Sequence, residues 1–154
     1  MVVKKVPTDN FIYPNLTPLI MGIETSLNHL QIYVKDCKVS FPYYKDLLTY
    51  LGYSVVLEDE SHLGMRNGPT DIWLKGVPKE NKTIGFNRRN IGVNHIAFGV
   101  FQKDDVDKFC QEFLTTRGIK PLYNTPRSFP EYTPKYYAVF FEDPDKLKLE
   151  VVFL

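Results

Sequence analysis

The sequence predicts an α+β fold built from two copies of a βαβββ unit. Residues 27–34 and 93–100 each alternate like a strand and contain an Asn-His pair near the start, and the two histidines are 66 residues apart. Gly52 and Gly118, each at the predicted end of a helix, are also 66 residues apart. Two features that keep one spacing indicate an internal duplication.

The first unit is predicted to span residues 27–77. Its helix begins at Asp36 or Ser40, either of which can cap the first turn, and it ends at Gly52. Pro42 is compatible with this helix only within the first turn. Apolar residues of the helix recur at intervals of three or four positions: Phe41, Tyr44, Leu47, Leu48 and Leu51. Three short strands are predicted to follow: residues 53–59, 62–66 and 71–77.

The second unit is predicted to span residues 93–154, after a polar linker at 78–92. Asp104 or Asp105 is expected to cap its helix, which runs through Thr116. After this helix we expect a strand, a proline-rich loop and two further strands: residues 119–123, 125–134, 136–142 and 147–154. Residues 1–26 contain several prolines and are predicted to form an N-terminal extension.

Composition limits the kinds of partner and the cellular location that we expect for this protein. The chain has 154 residues and a formal net charge of +1, so neither nucleic acid nor an acidic membrane surface is predicted as a partner. The two cysteines, Cys37 and Cys110, match no zinc motif and are predicted to be reduced thiols. We see no signal peptide and no apolar run long enough to span a bilayer, and we expect a cytoplasmic protein.

Strand parity places three ligand-type side chains on one face. Side chains alternate between the faces of a strand, so His29, His95 and Glu150 should all project away from the helices, onto the concave side of a curved sheet. Two imidazoles and one carboxylate form a site that leaves coordination positions open for substrate or water. Such a site suits a divalent metal ion: Zn, Ni, Fe or Mn. His62 has no counterpart in the second unit and is predicted to lie on the surface.

The chain resembles the vicinal oxygen chelate superfamily, which includes glyoxalase I, bleomycin resistance proteins and extradiol dioxygenases. The resemblance rests on five motifs: LNHL at 27–30, FPYYKDLL at 41–48, VNHIAF at 93–98, FEDPD at 141–145 and LEVV at 149–152. It implies a cupped mixed β-sheet with the helices on its outer face, over residues 27–154. It also implies that His29, His95 and Glu150 bind metal.

Two positions depart from the patterns of better-known members. Glyoxalase I resembles this chain but has a fourth ligand, usually Glu, about where Trp73 stands here. Asp71 shares that face and is a shorter candidate substitute. Fosfomycin-modifying enzymes and extradiol dioxygenases have a Tyr ten residues before the metal Glu, where this chain has Phe140. Tyr136 shares the parity of Phe140 and is a candidate source of a phenol.

The resemblance leaves three functions open. The first is a glyoxalase-like lyase or isomerase in which Glu150 or Asp71 is the base and Tyr136 assists. The second is an extradiol-type dioxygenase. The third is a metal-free protein that sequesters a ligand in an aromatic cup. In each case the partner is a small molecule, and a homodimer is expected. The ligands are contributed either by one chain or by two, since both arrangements satisfy the same strand parity.

Overall fold

The computed structural model describes residues 25–154, which contain two four-stranded mixed sheets. Most of the predicted extension at 1–26 lies outside the described residues. The predicted α+β fold with two βαβββ modules is confirmed. The strands, however, form two separate sheets within the described chain instead of one continuous sheet. None of the helices within 25–154 is both long enough and apolar enough to cross a membrane.

The first sheet has the strand order β1-β4-β3-β2, in which β1 runs parallel to β4 and the other neighbours are antiparallel. Helix α1 connects β1 to β2. Asp36 is its N-cap and accepts a hydrogen bond from the backbone N–H of Lys38. The elements of this module are β1 His29–Val34, α1 Cys37–Tyr50, β2 Ser54–Glu58, β3 His62–Asn67 and β4 Thr70–Gly76.

The second sheet repeats this topology, in the order β5-β8-β7-β6, with β5 parallel to β8. Helix α2 continues through a π-helical turn and a 3-10 turn before Gly118, whose φ of +65° is left-handed like the +86° of Gly52. The elements are β5 His95–Gly99, α2 Lys103–Phe109, β6 Leu122–Ser128, β7 Tyr137–Glu142 and β8 Lys148–Phe153, with the two turns at Cys110–Leu114 and Thr115–Arg117. The linker contains a short 3-10 turn, Lys79–Asn81.

Several predicted local features were wrong. Pro42 lies in the second turn of α1, where its missing N–H leaves the carbonyl of the exposed Lys38 to solvent. No side chain caps α2, because the residue before it is Gln102 and both predicted aspartates lie inside its first turn. The strand expected at 119–123 instead runs through Leu122–Ser128. It tolerates Pro126 because β6 is an edge strand.

One continuous apolar core connects the two modules on the helix-facing sides of the sheets, and it includes Val34, Leu47, Phe98, Phe109 and Leu149. The core residues that belong to β1, β5 and β8 alternate with His29, His95 and Glu150, as the predicted strand faces require. The opposite side of each sheet, the open face, is turned away from the helices. It carries His29 and His95 at the starts of β1 and β5.

Polar contacts hold α1 against the β7–β8 turn of the second module. The phenol of Tyr44 donates a 2.7 Å hydrogen bond to the Asp143 carboxylate, and the backbone N–H of Lys35 donates to Asp145 at 2.9 Å. Burial of Asp143 raises the pKa of its carboxyl from 3.8 to about 6, although the hydrogen bond from Tyr44 opposes the shift. The first helix is therefore anchored to the second module as well as to its own sheet.

Candidate metal centre

Each of the two repeat-related histidines is oriented by the asparagine that precedes it. Nδ1 of His29 lies 2.9 Å from Oδ1 of Asn28, and Nδ1 of His95 lies 2.9 Å from Oδ1 of Asn94. The amide nitrogen of Asn94 donates to the carbonyl of Arg88 at 3.0 Å, which turns its oxygen toward the ring. An amide oxygen only accepts hydrogen bonds, so Nδ1 carries a proton, and in the neutral imidazole Nε2 then presents a lone pair.

Glu150 lies beside His95 and is completely buried. Its Oε1 accepts a 2.6 Å hydrogen bond from the phenol of Tyr136, and its Oε2 lies 3.0 Å from Nε2 of His95. Burial and the neighbouring carboxylate raise the pKa of the Tyr136 phenol, so that group remains a donor. No partner in the described residues meets Oε2 in hydrogen-bond geometry.

The two facing atoms fit a bound cation. With the imidazole neutral and Nδ1 protonated, Nε2 of His95 and Oε2 of Glu150 are both acceptors, and two acceptors 3.0 Å apart repel unless a proton on Nε2 or a metal ion lies between them. Donor atoms each about 2.1 Å from one ion are about 3 Å apart at a right angle. The chemistry of the pair, a neutral imidazole and a carboxylate, is that of a first-row divalent metal site.

The structure does not bring the third predicted ligand to this pair. Among residues 25–154, no group of three His, Cys, Asp or Glu side chains is close enough to hold an ion. His29 lies on the first sheet, where β1 is an edge strand, and His95 lies on β5, an edge strand of the second sheet. The metal site of His29, His95 and Glu150 thus stays a prediction. Within one chain only His95 and Glu150 are in contact.

Asp71 is the register neighbour of His29, on the adjacent strand β4. Its carboxylate accepts two hydrogen bonds from Arg66, from Nε at 2.6 Å and from Nη2 at 2.8 Å. These bonds hold the pKa of Asp71 below its ordinary value. A carboxylate that is paired in this way is a weak base, so the proposed catalytic role of Asp71 has no support from its surroundings.

Strand register explains the absence of a fourth ligand. In the second module Glu150 pairs with Ala97, two residues beyond His95; in the first, Trp73 pairs with Gln31, two residues beyond His29. Trp73 is therefore the repeat counterpart of Glu150. Its indole lies against Gly64, where an added Cβ would come within 2.7 Å of the ring. An aromatic ring packed on glycine replaces the carboxylate of the second module.

Aromatic side chains form a wall beside the His95–Glu150 pair. Phe140 lies edge-on to the His95 ring with centroids 6.1 Å apart, and Phe129 packs against both Phe140 and Tyr136. Together with Ala138 and Val152 they form a small apolar cluster separate from the main core. Two other aromatic residues, Tyr33 and Trp73, belong to the first sheet.

Comparison with known proteins agrees with this architecture. The family profile described as the Glyoxalase/Bleomycin resistance protein/Dioxygenase superfamily matches residues 26–151. The chain belongs to this superfamily. The resemblance read from the His-bearing strands and the final Glu-bearing strand is thereby confirmed.

Individual relatives show the same relationship. The chain is 29% identical over 126 residues to the protein YqjT of Bacillus subtilis, covering 82% of this chain and 97% of the relative. A candidate glyoxalase from Bacillus halodurans superposes with a TM-score of 0.76 at 31% identity, covering 83% of this chain and 95% of that one. Lactoylglutathione lyase from Agrobacterium tumefaciens shares the fold, with a TM-score of 0.59 at 17% identity, over 84% and 94% of the two chains.

Proposed function

We propose that this protein is a metal-dependent, glyoxalase-like lyase or isomerase that acts on a small substrate with two neighbouring oxygen atoms. The observation that carries the proposal is the contact between Oε2 of Glu150 and Nε2 of His95. A fully buried carboxylate oxygen that faces a second acceptor at 3.0 Å is costly without a cation. A divalent metal ion between the two atoms would remove this repulsion, as a proton on Nε2 would in the metal-free protein.

The roles of the side chains follow from their contacts. A divalent Zn, Ni, Fe or Mn ion held by His29, His95 and Glu150 would supply Lewis acidity toward the two substrate oxygens. On this proposal the Glu150 carboxylate accepts the substrate α-proton, since its Oε2 meets no hydrogen-bond donor within the described residues. Tyr136 holds the other oxygen at 2.6 Å and so fixes the direction in which the carboxylate presents its free lone pairs.

We further propose that His29 comes from a second copy of the chain. Within one chain His29 does not join His95 and Glu150, although all three are repeat-related ligand types on open faces. The edge strands β1 and β5 leave backbone groups free for pairing, and exposed apolar residues lie next to them: Leu27, Tyr33, Ile91, Val93 and Phe101. A twofold dimer in which β1 lies beside the partner's β5 would complete two identical sites.

A complementation experiment tests the shared site. Chains carrying His29→Ala or His95→Ala are given different affinity tags and co-expressed, and the mixed dimer is isolated. If the ligands come from two chains, the mixed dimer has one intact and one doubly altered site, so it should bind about half the wild-type amount of metal. Each variant alone should bind little.

The same experiment separates the alternatives. Equal, low metal content in the mixed dimer and in both single variants would refute a site shared between chains. Wild-type protein that retains no transition metal after chelator-free purification, and takes none up from Ni²⁺ or Zn²⁺ solution, would refute the metalloenzyme proposal altogether.

The second candidate is a metal-free protein that binds an apolar ligand. It is favoured by the aromatic wall of Phe129, Tyr136 and Phe140, whose ring faces and edges lie beside the His95–Glu150 pair. On this hypothesis Glu150 would serve the ligand, and Glu150→Gln would alter ligand binding without altering metal content. Metal analysis of the purified wild-type protein distinguishes the two functions.

A further inference from the structure

Three polar residues form a row across the open face of the first sheet. His29 pairs in register with Asp71, and Asp71 pairs with Arg66 on the next strand. Register partners on neighbouring strands point to the same face, and strands are about 4.8 Å apart. The Arg66 backbone therefore lies roughly 10 Å from that of His29, two strand spacings across the face on which the metal ligand stands.

Arg66 is held in one orientation. Asp71 accepts from Nε at 2.6 Å and from Nη2 at 2.8 Å, which is the planar two-bond geometry of an arginine–carboxylate pair. The Asp71 side chain is only 10% exposed, whereas that of Arg66 is 58% exposed. The buried carboxylate thus fixes one edge of the guanidinium, while Nη1 and its neighbouring N–H groups remain available to a ligand on the open face.

The N–H groups of Arg66 that Asp71 does not engage can donate to an anionic ligand. Asp71 is the acidic member of this row, and both of its oxygens are already engaged by Arg66. At the repeat counterpart of Glu150 the first module has Trp73, which is neutral. In the second module the corresponding pair, Lys148 and Glu142, has the opposite polarity, so the arrangement is not a symmetrical feature of the fold.

We propose that Arg66 binds a carboxylate group of the substrate, at a distance of several bonds from the two neighbouring oxygens that face the metal ligands. The inference rests on the proposed function, because His29 must belong to the site for the row to line it. Asp71 is then a positioning residue for Arg66. The substrate class becomes a small organic acid whose vicinal oxygens and carboxylate are separated by a short linker.

A binding experiment with defined probes tests this inference. Cobalt(II)-loaded protein is titrated with catechol, with dihydrocaffeate (a catechol with a propionate chain), and with the amide of dihydrocaffeate, following the cobalt absorption bands. A charge-assisted contact should make the wild type bind the acid roughly tenfold or more tightly than the amide. Arg66→Met should reduce this ratio to about one and leave the affinity for catechol unchanged.

Two variants serve as controls. Arg66→Lys keeps a cation beside Asp71 if Arg66→Met fails to fold, and it should retain only part of the preference because an ammonium lacks the fork geometry. Arg117→Met removes a comparable bidentate arginine–carboxylate pair. Arg117 donates to both oxygens of Asp46 in α1, so this pair joins the two helical segments and lies outside the open faces. The Arg117→Met variant should keep the full wild-type preference.

The outcomes separate this inference from the proposed function. Equal binding of acid and amide by the wild type, or a preference that survives in Arg66→Met, overturns the Arg66 subsite. Failure to bind cobalt overturns the metal site, and metal-free protein is then titrated with phenylpropionate and its amide. An Arg66-dependent preference there supports the subsite without the metal, and its absence overturns both.

Discussion

Glu150→Gln tests two properties of this buried carboxylate. The first is the free energy that its burial costs the metal-free fold, and the second is its contribution to metal binding. The side chain is fully buried, and its Oε1 accepts from Tyr136 at 2.6 Å. A glutamine can keep that bond through its amide oxygen. Its amide nitrogen then takes the place of Oε2, 3.0 Å from Nε2 of His95, so that a donor instead of an acceptor faces the ring nitrogen.

The expected magnitude follows from these contacts. The substitution replaces a buried charge, whose Oε2 meets no hydrogen-bond donor within the described residues, with a neutral amide, so metal-free Glu150→Gln should be more stable than the wild type by about 1–3 kcal/mol. With metal at one hundred times its dissociation constant, the wild type should gain about 2.7 kcal/mol. The variant, lacking an anionic ligand, should gain almost nothing.

Urea unfolding in EDTA and in excess Zn²⁺ measures both effects. Glu142→Gln is a matched control, because Glu142 is a β7 carboxylate paired with Arg88 and Lys146 and should not affect the metal-dependent gain. If Glu150→Gln lowers the stability in EDTA by more than about 1 kcal/mol, the carboxylate is already satisfied by a charged His95. A full zinc-dependent gain in the variant would likewise refute the reasoning.

Three further predictions follow from single contacts. Asn94→Ala should weaken metal binding roughly tenfold to a hundredfold in a chelator competition, because the His95 ring loses its orienting acceptor, and unchanged affinity would contradict this. The folded protein keeps the Asp143 proton up to about pH 6 instead of 3.8, so unfolding releases a proton in this window and stability falls as the pH rises, by about 3 kcal/mol. Urea titrations from pH 4 to 7 should show this slope in the wild type and lose it in Asp143→Asn; equal slopes would refute it. Gly64→Ala should destabilise the protein by about 1–3 kcal/mol, since the new Cβ would stand 2.7 Å from the Trp73 ring, and in a Trp73→Leu background thermal unfolding should show a clearly smaller loss.

Local pattern was a reliable guide wherever one strand or one turn decides the outcome. The alternation that assigned His29, His95 and Glu150 to one face puts residues of the opposite parity on the other, and Val34, Phe98 and Leu149 do lie in the core. The equal spacing of Gly52 and Gly118 correctly marked two left-handed helix ends. These features depend on neighbours within a few residues, so the chain encodes them directly.

Local pattern failed where partners from distant elements decide the structure. The proline-rich loop was predicted to begin at residue 125, but β6 continues through Ser128. Its last residues pair with β7 in an irregular register. Arg66 was overlooked, although its parity in β3 matches that of Asp71 once the register is known. That parity was the available signal, but register depends on how strands pair and not on any one strand.

The sequence by itself determined the duplicated βαβββ order, the face of each strand and the three ligand-type residues, since periodicity and repeat spacing are properties of the chain alone. Only the tertiary structure decided which of these residues meet. It brought Glu150 to His95 and Tyr136, bound Asp71 to Arg66, and kept His29 on a separate sheet. These outcomes depend on strand register and on the packing of α1 against the second module, which are long-range contacts that no local pattern specifies.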